Sequence, residues 1–158
     1  MKNLTHIDED GNATMVDVSH KNETFRVAVA KGNLCLEKET IVAIMHQGVK
    51  KGDVMSVAQL AGIMGAKKTA ELIPLCHPLQ LNSVAVELEC LIDRNEIEIT
   101  ATCKVSGRTG VEMEALTAVS ISALTIYDMC KSIDRKMRIN NVRLTHKSGG
   151  KSGTFEAK

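Results

Sequence analysis

Both prolines of the chain fall within Leu72-Ile73-Pro74-Leu75-Cys76-His77-Pro78-Leu79, and a cysteine and a histidine stand between them. Each proline fixes its own φ and drives the preceding residue toward extended geometry, so Ile73 and His77 are steered out of helix and the loop is stiff. A stiff loop can hold an imidazole in one orientation for chemistry. A bland helix stop and turn accounts for either proline alone. Cys76-His77 is not a thiol nucleophile by itself, because adjacent side chains rarely face each other. Nor is it a metal site, since no second histidine or cysteine stands at ligand spacing. No bound metal is expected.

The second chemistry-bearing stretch runs from Gly110 to Lys131. Glu112 and Glu114 occupy the first turn of an expected helix, where the dipole favours carboxylates, whereas Asp128 lies in its last turns, where it does not. Lys131 at i+3 can neutralise that aspartate. At about 100° per residue, Glu114, Thr117, Asp128 and Lys131 share one half of the helix with Ile121 and Leu124, so that half is expected to be covered. Two readings of Asp128 and Lys131 stand side by side: an exposed ion pair, or an acid-base pair on a pocket wall. Arg26, Lys50, Lys51, Lys67 and Lys68 add cations outside regular runs. Singly these are solvated groups; with His77 and Lys131 they could cradle an oxyanion or a phosphate. His146-Lys147-Ser148-Gly149-Gly150-Lys151-Ser152-Gly153 is not a Walker A loop, because Thr145 stands where that motif needs its first glycine. It reads as a flexible tail, or as a basic flap over an anionic ligand.

These residues must be placed by regular elements. Phe25 to Leu36 reads as a strand with Val27, Val29 and Leu34 as its apolar members. Glu37 to Gln47 reads as a helix closed by Gly48. A second helix begins after Asp53, a candidate N-cap, with Val57, Leu60, Ala61 and Met64 at helical spacing. Ser83 to Leu91 and Glu96 to Val105 alternate cleanly and are joined by a hairpin at Asp93-Arg94-Asn95. A helix from Val111 to Ser132 and a strand from Met137 to Leu144 complete the order. That order predicts an α+β fold, a ferredoxin-like antiparallel sheet with helices packed on one face. One domain over residues 1–158 is expected, with a loose amino-terminal arm at 1–14 and a flexible carboxy-terminal tail at 147–158.

Composition narrows the function classes. Aromatic residues make up only 2% of the chain and the net charge is +1, so stacking platforms and a polyanion-steering field are both lacking. Nucleic acid is an unlikely partner on those grounds. Five cysteines with no CxxC pair argue against a disulfide framework and a zinc ribbon. No leader and no membrane-spanning run are recognisable, so a cytoplasmic location without membrane attachment is expected.

Met15-Val-Asp-Val-Ser19, Lys51-Gly-Asp53, Leu72 to Leu79, Thr109-Gly-Val-Glu-Met-Glu-Ala-Leu116, Leu124-Thr-Ile-Tyr-Asp-Met-Cys-Lys131 and Lys147-Ser-Gly-Gly-Lys-Ser-Gly153 together closely resemble the MoaC family. The resemblance spans nearly the whole chain. It implies conversion of (8S)-3',8-cyclo-7,8-dihydroguanosine 5'-triphosphate to cyclic pyranopterin monophosphate with release of pyrophosphate, in molybdenum cofactor biosynthesis. It also implies that Asp128 is the acid/base, that Lys51 and Lys131 are catalytic cations, and that Leu75, Cys76, His77, Met113 and Glu114 contact substrate. Arg26 and Lys67 extend this set toward the phosphates. No tightly bound cofactor is implied, although Mg²⁺ could arrive on the triphosphate. The family further implies a homohexamer, a trimer of dimers with sites at a subunit interface. A non-catalytic ferredoxin-like binding or assembly module is the alternative from another class. A metal-dependent phosphohydrolase would need a carboxylate or histidine cluster that the sequence lacks.

Overall fold

The computed structural model describes residues 4–46 and 53–157. Five strands form one sheet: β1 (Thr24–Cys35), β2 (Ser83–Leu91), β3 (Glu96–Gly107), β4 (Arg138–Ser148) and β5 (Phe155–Glu156). They lie in the order β2-β3-β1-β4-β5 with every neighbouring pair antiparallel. Helices α1 (Lys38–His46), α2 (Val54–Lys67) and α3 (Thr69–Leu72) connect β1 to β2, and α4 (Glu112–Cys130) connects β3 to β4. This is the expected α+β ferredoxin-like arrangement.

Strand alternation decides which residues meet the helices. On β3, Ile97, Ile99, Ala101, Cys103 and Val105 are buried beneath α4, as their spacing predicts. On β1 the buried members are Ala28, Ala30, Gly32 and Leu34, whereas Val27 and Val29 point to the other face and are half-buried. The expected set of Val27, Val29 and Leu34 mixes the two faces, because 27 and 34 differ in parity. The strand's true core side carries small residues, which hydrophobicity alone does not flag. On the opposite face Lys31 Nζ meets Glu98 Oε1 at 2.9 Å, so that face is mixed in polarity.

The same inversion occurs on α2. Val57, Leu60 and Met64 are 39%, 59% and 50% exposed, while Ala58, Gly62, Gly65 and Ala66 are buried. The reason is the close approach of α4: a Cβ on Gly62 would lie 2.2 Å from Ser122 Oγ and 3.0 Å from the Ala118 carbonyl. Ser122 Oγ donates to the Ala58 carbonyl at 3.0 Å and ties the two helices. Asp53 caps α2 as its position suggests, accepting from Met55 N at 3.2 Å and Ser56 N at 3.3 Å.

Helix α1 is capped from far along the chain. Asp134 is 4% exposed and accepts from Glu37 N at 2.8 Å and Thr40 Oγ1 at 3.4 Å. The hairpin between β2 and β3 turns through a short 3₁₀ segment, and Asn95 takes the left-handed conformation at φ 51. Strand β4 runs four residues beyond its expected end, and Lys147 and Ser148 lie within it. The segment expected as a tail then returns as β5, pairing Phe155 with Lys147 and Glu156 with His146. In the amino-terminal arm, Ile7 bridges Ala13 around a turn held by the Asp8 carboxylate.

The α2–α4 contact makes a specific expectation. Gly62→Ala improves intrinsic helix propensity by about 1 kcal/mol, yet overpacking at this crossing costs about 1–3 kcal/mol. The urea midpoint should therefore fall; a midpoint at or above wild type would show that the helices can part without loss.

Candidate active site

A cleft of about 1020 Å³ opens where β1 begins, β3 ends and α4 starts. Strand β1 contributes Thr24 and Arg26, the proline loop Leu75, Cys76 and His77, and the first turn of α4 Glu112, Met113 and Glu114. Lys147 of β4, parts of the amino-terminal arm and the Gly150–Ser152 turn complete the wall. Its volume suits a nucleotide-sized molecule.

The proline loop does present its histidine in a fixed way. His77 Nε2 lies 2.7 Å from the Val16 carbonyl. A carbonyl only accepts, so Nε2 is the donor in this contact. The contact also fastens the arm across the cleft, as does Arg108, which donates to the Ser19 carbonyl at 3.4 Å. Arg26 is held by its own fork, Nε donating to the Gly107 carbonyl at 3.1 Å and Nη2 to that of Arg108 at 3.2 Å. Gly149 and Gly150 pass close over this strand with φ of +93 and +73. A Cβ on Gly149 would stand 2.1 Å from the Phe25 carbonyl, so the glycine pair is what lets the chain cross Arg26.

The carboxylates differ in state. Glu112 is paired with Lys147 at 2.5 Å. Glu114 is 4% exposed, and burial pushes its carboxyl from 4.5 up to about 7, with the charge of Glu112 adding to the rise. A group of that kind can both give and take a proton near neutrality. Burial likewise raises the Cys76 thiol, and it pushes that of Cys103 up to about 12, the negative charge of Glu114 adding to both. Neither cysteine is a thiolate nucleophile.

Of the sequence-derived site residues, the cleft gathers Arg26, Leu75, Cys76, His77, Met113 and Glu114. It does not gather Lys67, Asp128 or Lys131. Lys67 ends α2 away from the cleft. Lys131 Nζ donates to Asp128 Oδ1 at 2.6 Å in an exposed ion pair, and that contact raises the lysine's pKa. The half of α4 expected to be covered is therefore covered only at its start: Glu114 and Thr117 are buried, but Leu124 is 53% exposed. Lys51 lies outside the described residues. Glu112 of the first turn and Lys147 and Lys151 of the expected basic flap also line the cleft, as do Thr24 and Arg108, which were not singled out in the sequence. The shared parity of Thr24 and Arg26 was the available signal for Thr24. Among the described residues, no group of three or more His, Cys, Asp and Glu gathers as a metal would require. None of the described helices is long and apolar enough to cross a membrane.

A ferredoxin-like sheet that gathers fixed cations and a buried carboxyl around one nucleotide-sized cleft defines a small-molecule enzyme. The MoaC family model matches residues 15–150. The chain is 62% identical over 154 residues to the cyclic pyranopterin monophosphate synthase of Rhodospirillum rubrum, covering 98% of this chain and 93% of that protein. The proteins of the same name from Dinoroseobacter shibae and Clostridium botulinum are 59% and 56% identical, over 99% and 96% of each chain. The chain belongs to the MoaC family.

The state of Glu114 can be read from stability. Its folded-state pKa lies above the unfolded value, so between about 4.5 and 7 the native chain keeps a proton that the unfolded chain has lost. The contribution of Glu114 thus falls as pH rises through that window and levels off above it. In urea unfolding, wild type should lose more stability between pH 5 and pH 8 than Glu114→Gln does. Parallel profiles would contradict the raised pKa.

Proposed function

We propose that this chain is a lyase that converts (8S)-3',8-cyclo-7,8-dihydroguanosine 5'-triphosphate to cyclic pyranopterin monophosphate and pyrophosphate, in molybdenum cofactor biosynthesis. The observation that carries the reading is the pairing of cations with a near-neutral buried carboxyl in one cleft, in a chain of the MoaC family. Opening the reduced purine and closing the pyranopterin moves several protons. Forming the cyclic phosphate displaces pyrophosphate from the α-phosphorus, and no hydride acceptor is needed. Leu75, Cys76 and His77 of the proline loop, with Met113 and Glu114, hold the substrate, and Arg26 binds its phosphates. Asp128 acts as acid/base, and Lys51 and Lys131 stabilise developing negative charge. Mg²⁺ enters, where needed, on the triphosphate.

Glu114 and Asp128 are fourteen residues apart on α4, about 21 Å at the helical rise. One substrate does not span that distance within one chain. The reading therefore includes a homohexamer built as a trimer of dimers, in which Asp128 and Lys131 of one subunit complete the cleft of another. Lys67 would likewise reach a phosphate only across such an interface. The exposed apolar side chains Val57, Leu60, Met64 and Leu124 give the helical face a reason to associate. The enzyme acts in the cytoplasm.

The direct test incubates the purified protein with the cyclic dihydro-GTP and measures pyranopterin and pyrophosphate together. Wild type should form both in equal amounts. Asp128→Asn and Lys51→Ala should each lower turnover by about 100-fold or more while keeping the wild-type circular dichroism. No product from wild type would reject the function, and near-wild-type turnover in either variant would reject that residue's role.

A further inference from the structure

Thr24 opens β1 on the cleft wall and stands two residues before Arg26. Residues at that spacing leave the same side of a strand, about 7 Å apart along it. Among the described residues, Thr24 Oγ1 is the only buried side-chain oxygen or nitrogen without a hydrogen-bond partner. Such atoms are rare in folded chains because an unsatisfied buried hydroxyl is costly. The local structure explains why the protein itself does not satisfy it. Gly107 lies opposite Thr24 in the register and brings no side chain.

We propose that Thr24 is a further ligand-binding residue, whose hydroxyl donates to a phosphoryl oxygen of the substrate triphosphate seated beside Arg26. The chemistry of the partner follows from what surrounds the hydroxyl. Lys21, Arg26, Arg108, Lys147 and Lys151 all line the same cleft, and of its two carboxylates Glu112 is already paired. A hydroxyl next to a guanidinium among several cations suits an anionic oxygen, to which O–H donation is charge-assisted. Arg26 is held by the backbone on the side of Nε and Nη2, so it supplies fixed charge while Thr24 supplies direction. This proposal rests on the function given above for its triphosphate. Its test needs no turnover.

Thr24→Val replaces the hydroxyl by a methyl of the same shape. If the hydroxyl serves the ligand, the variant should have a urea midpoint equal to or above wild type, because an unsatisfied polar group is removed. Its affinity for pyrophosphate, measured by titration calorimetry on the full chain, should fall about tenfold, the loss expected for one charge-assisted hydrogen bond. Thr24→Ser should stay within about threefold of wild type. A Thr24→Val chain that is less stable or fails to fold would assign the hydroxyl to the fold instead and overturn the proposal. So would unchanged pyrophosphate affinity, a Thr24→Ser loss as large as that of valine, or a wild-type chain that binds no pyrophosphate. Failure of wild type to form pyranopterin would reject the proposed reaction separately, since neither of these readouts depends on it.

Discussion

The rest of the structure depends on how closely α4 is held between the sheet and α2. The packing is between small groups: Ala28, Ala30 and Ala101 on the sheet, Ala115, Ala118 and Ala123 on α4, and Ala58, Gly62 and Gly65 on α2, all buried. Interiors packed this tightly resist even one added methyl, so α4 is fixed in both position and rotation. Its first turn is pressed into the cleft, where Glu114 loses its water, and desolvation raises its pKa. Had larger residues held α4 farther out, the carboxyl would be hydrated and would ionise as an ordinary glutamate. The state of Glu114 follows from the glycines and alanines that hold its helix close to the sheet and to α2.

The same rigid helix separates two kinds of chemistry. Its start buries Glu114 beside Cys76 and the Glu112–Lys147 pair, while its end carries Asp128 and Lys131 in solvent. An exposed ion pair of this kind contributes little to stability, since water screens it and two long side chains must be ordered. Of the pair, Asp128 opposes the helix dipole at this end and Lys131 suits it. Asp134, three residues beyond Lys131, is buried and caps α1, so the backbone leaving that end of α4 is anchored. The pair is therefore presented on an anchored helix end.

The sequence made the architecture readable because strand alternation at Ser83–Leu91 and Glu96–Val105 and the long helical period of α4 are strong, local signals. It also made the proline loop readable, since the backbone constraint on Ile73 and His77 comes from the prolines beside them, although the contact that orients the imidazole comes from distant Val16. What stayed hidden has non-local causes. The buried faces of β1 and α2 are chosen by closeness of approach, which favours Gly32, Gly62 and Ala58 over Val27, Leu60 and Met64. The cap of α1 comes from Asp134, 97 residues beyond Glu37, and no local pattern announces it. The order at residues 147–157 depends on an edge of β4 that exists only once the sheet is built. In the site, Glu114 could be named from its place in the first turn, but its protonation could not, because burial is a tertiary property. Asp128 and Lys131 show the converse: only the resemblance of their motif to the MoaC family points to them, and the fold of one chain leaves them in solvent.

The central claim is that one reaction site is built from the start of α4 in one subunit and the end of α4 in another. The most direct measurement mixes two inactive chains, Glu114→Ala and Asp128→Ala, by co-refolding, and assays pyranopterin formation by the mixed oligomers. Each mixed dimer would contain one site with both residues intact, so part of the wild-type activity should return. Mixed oligomers of verified composition that stay as inactive as their parents would contradict the claim.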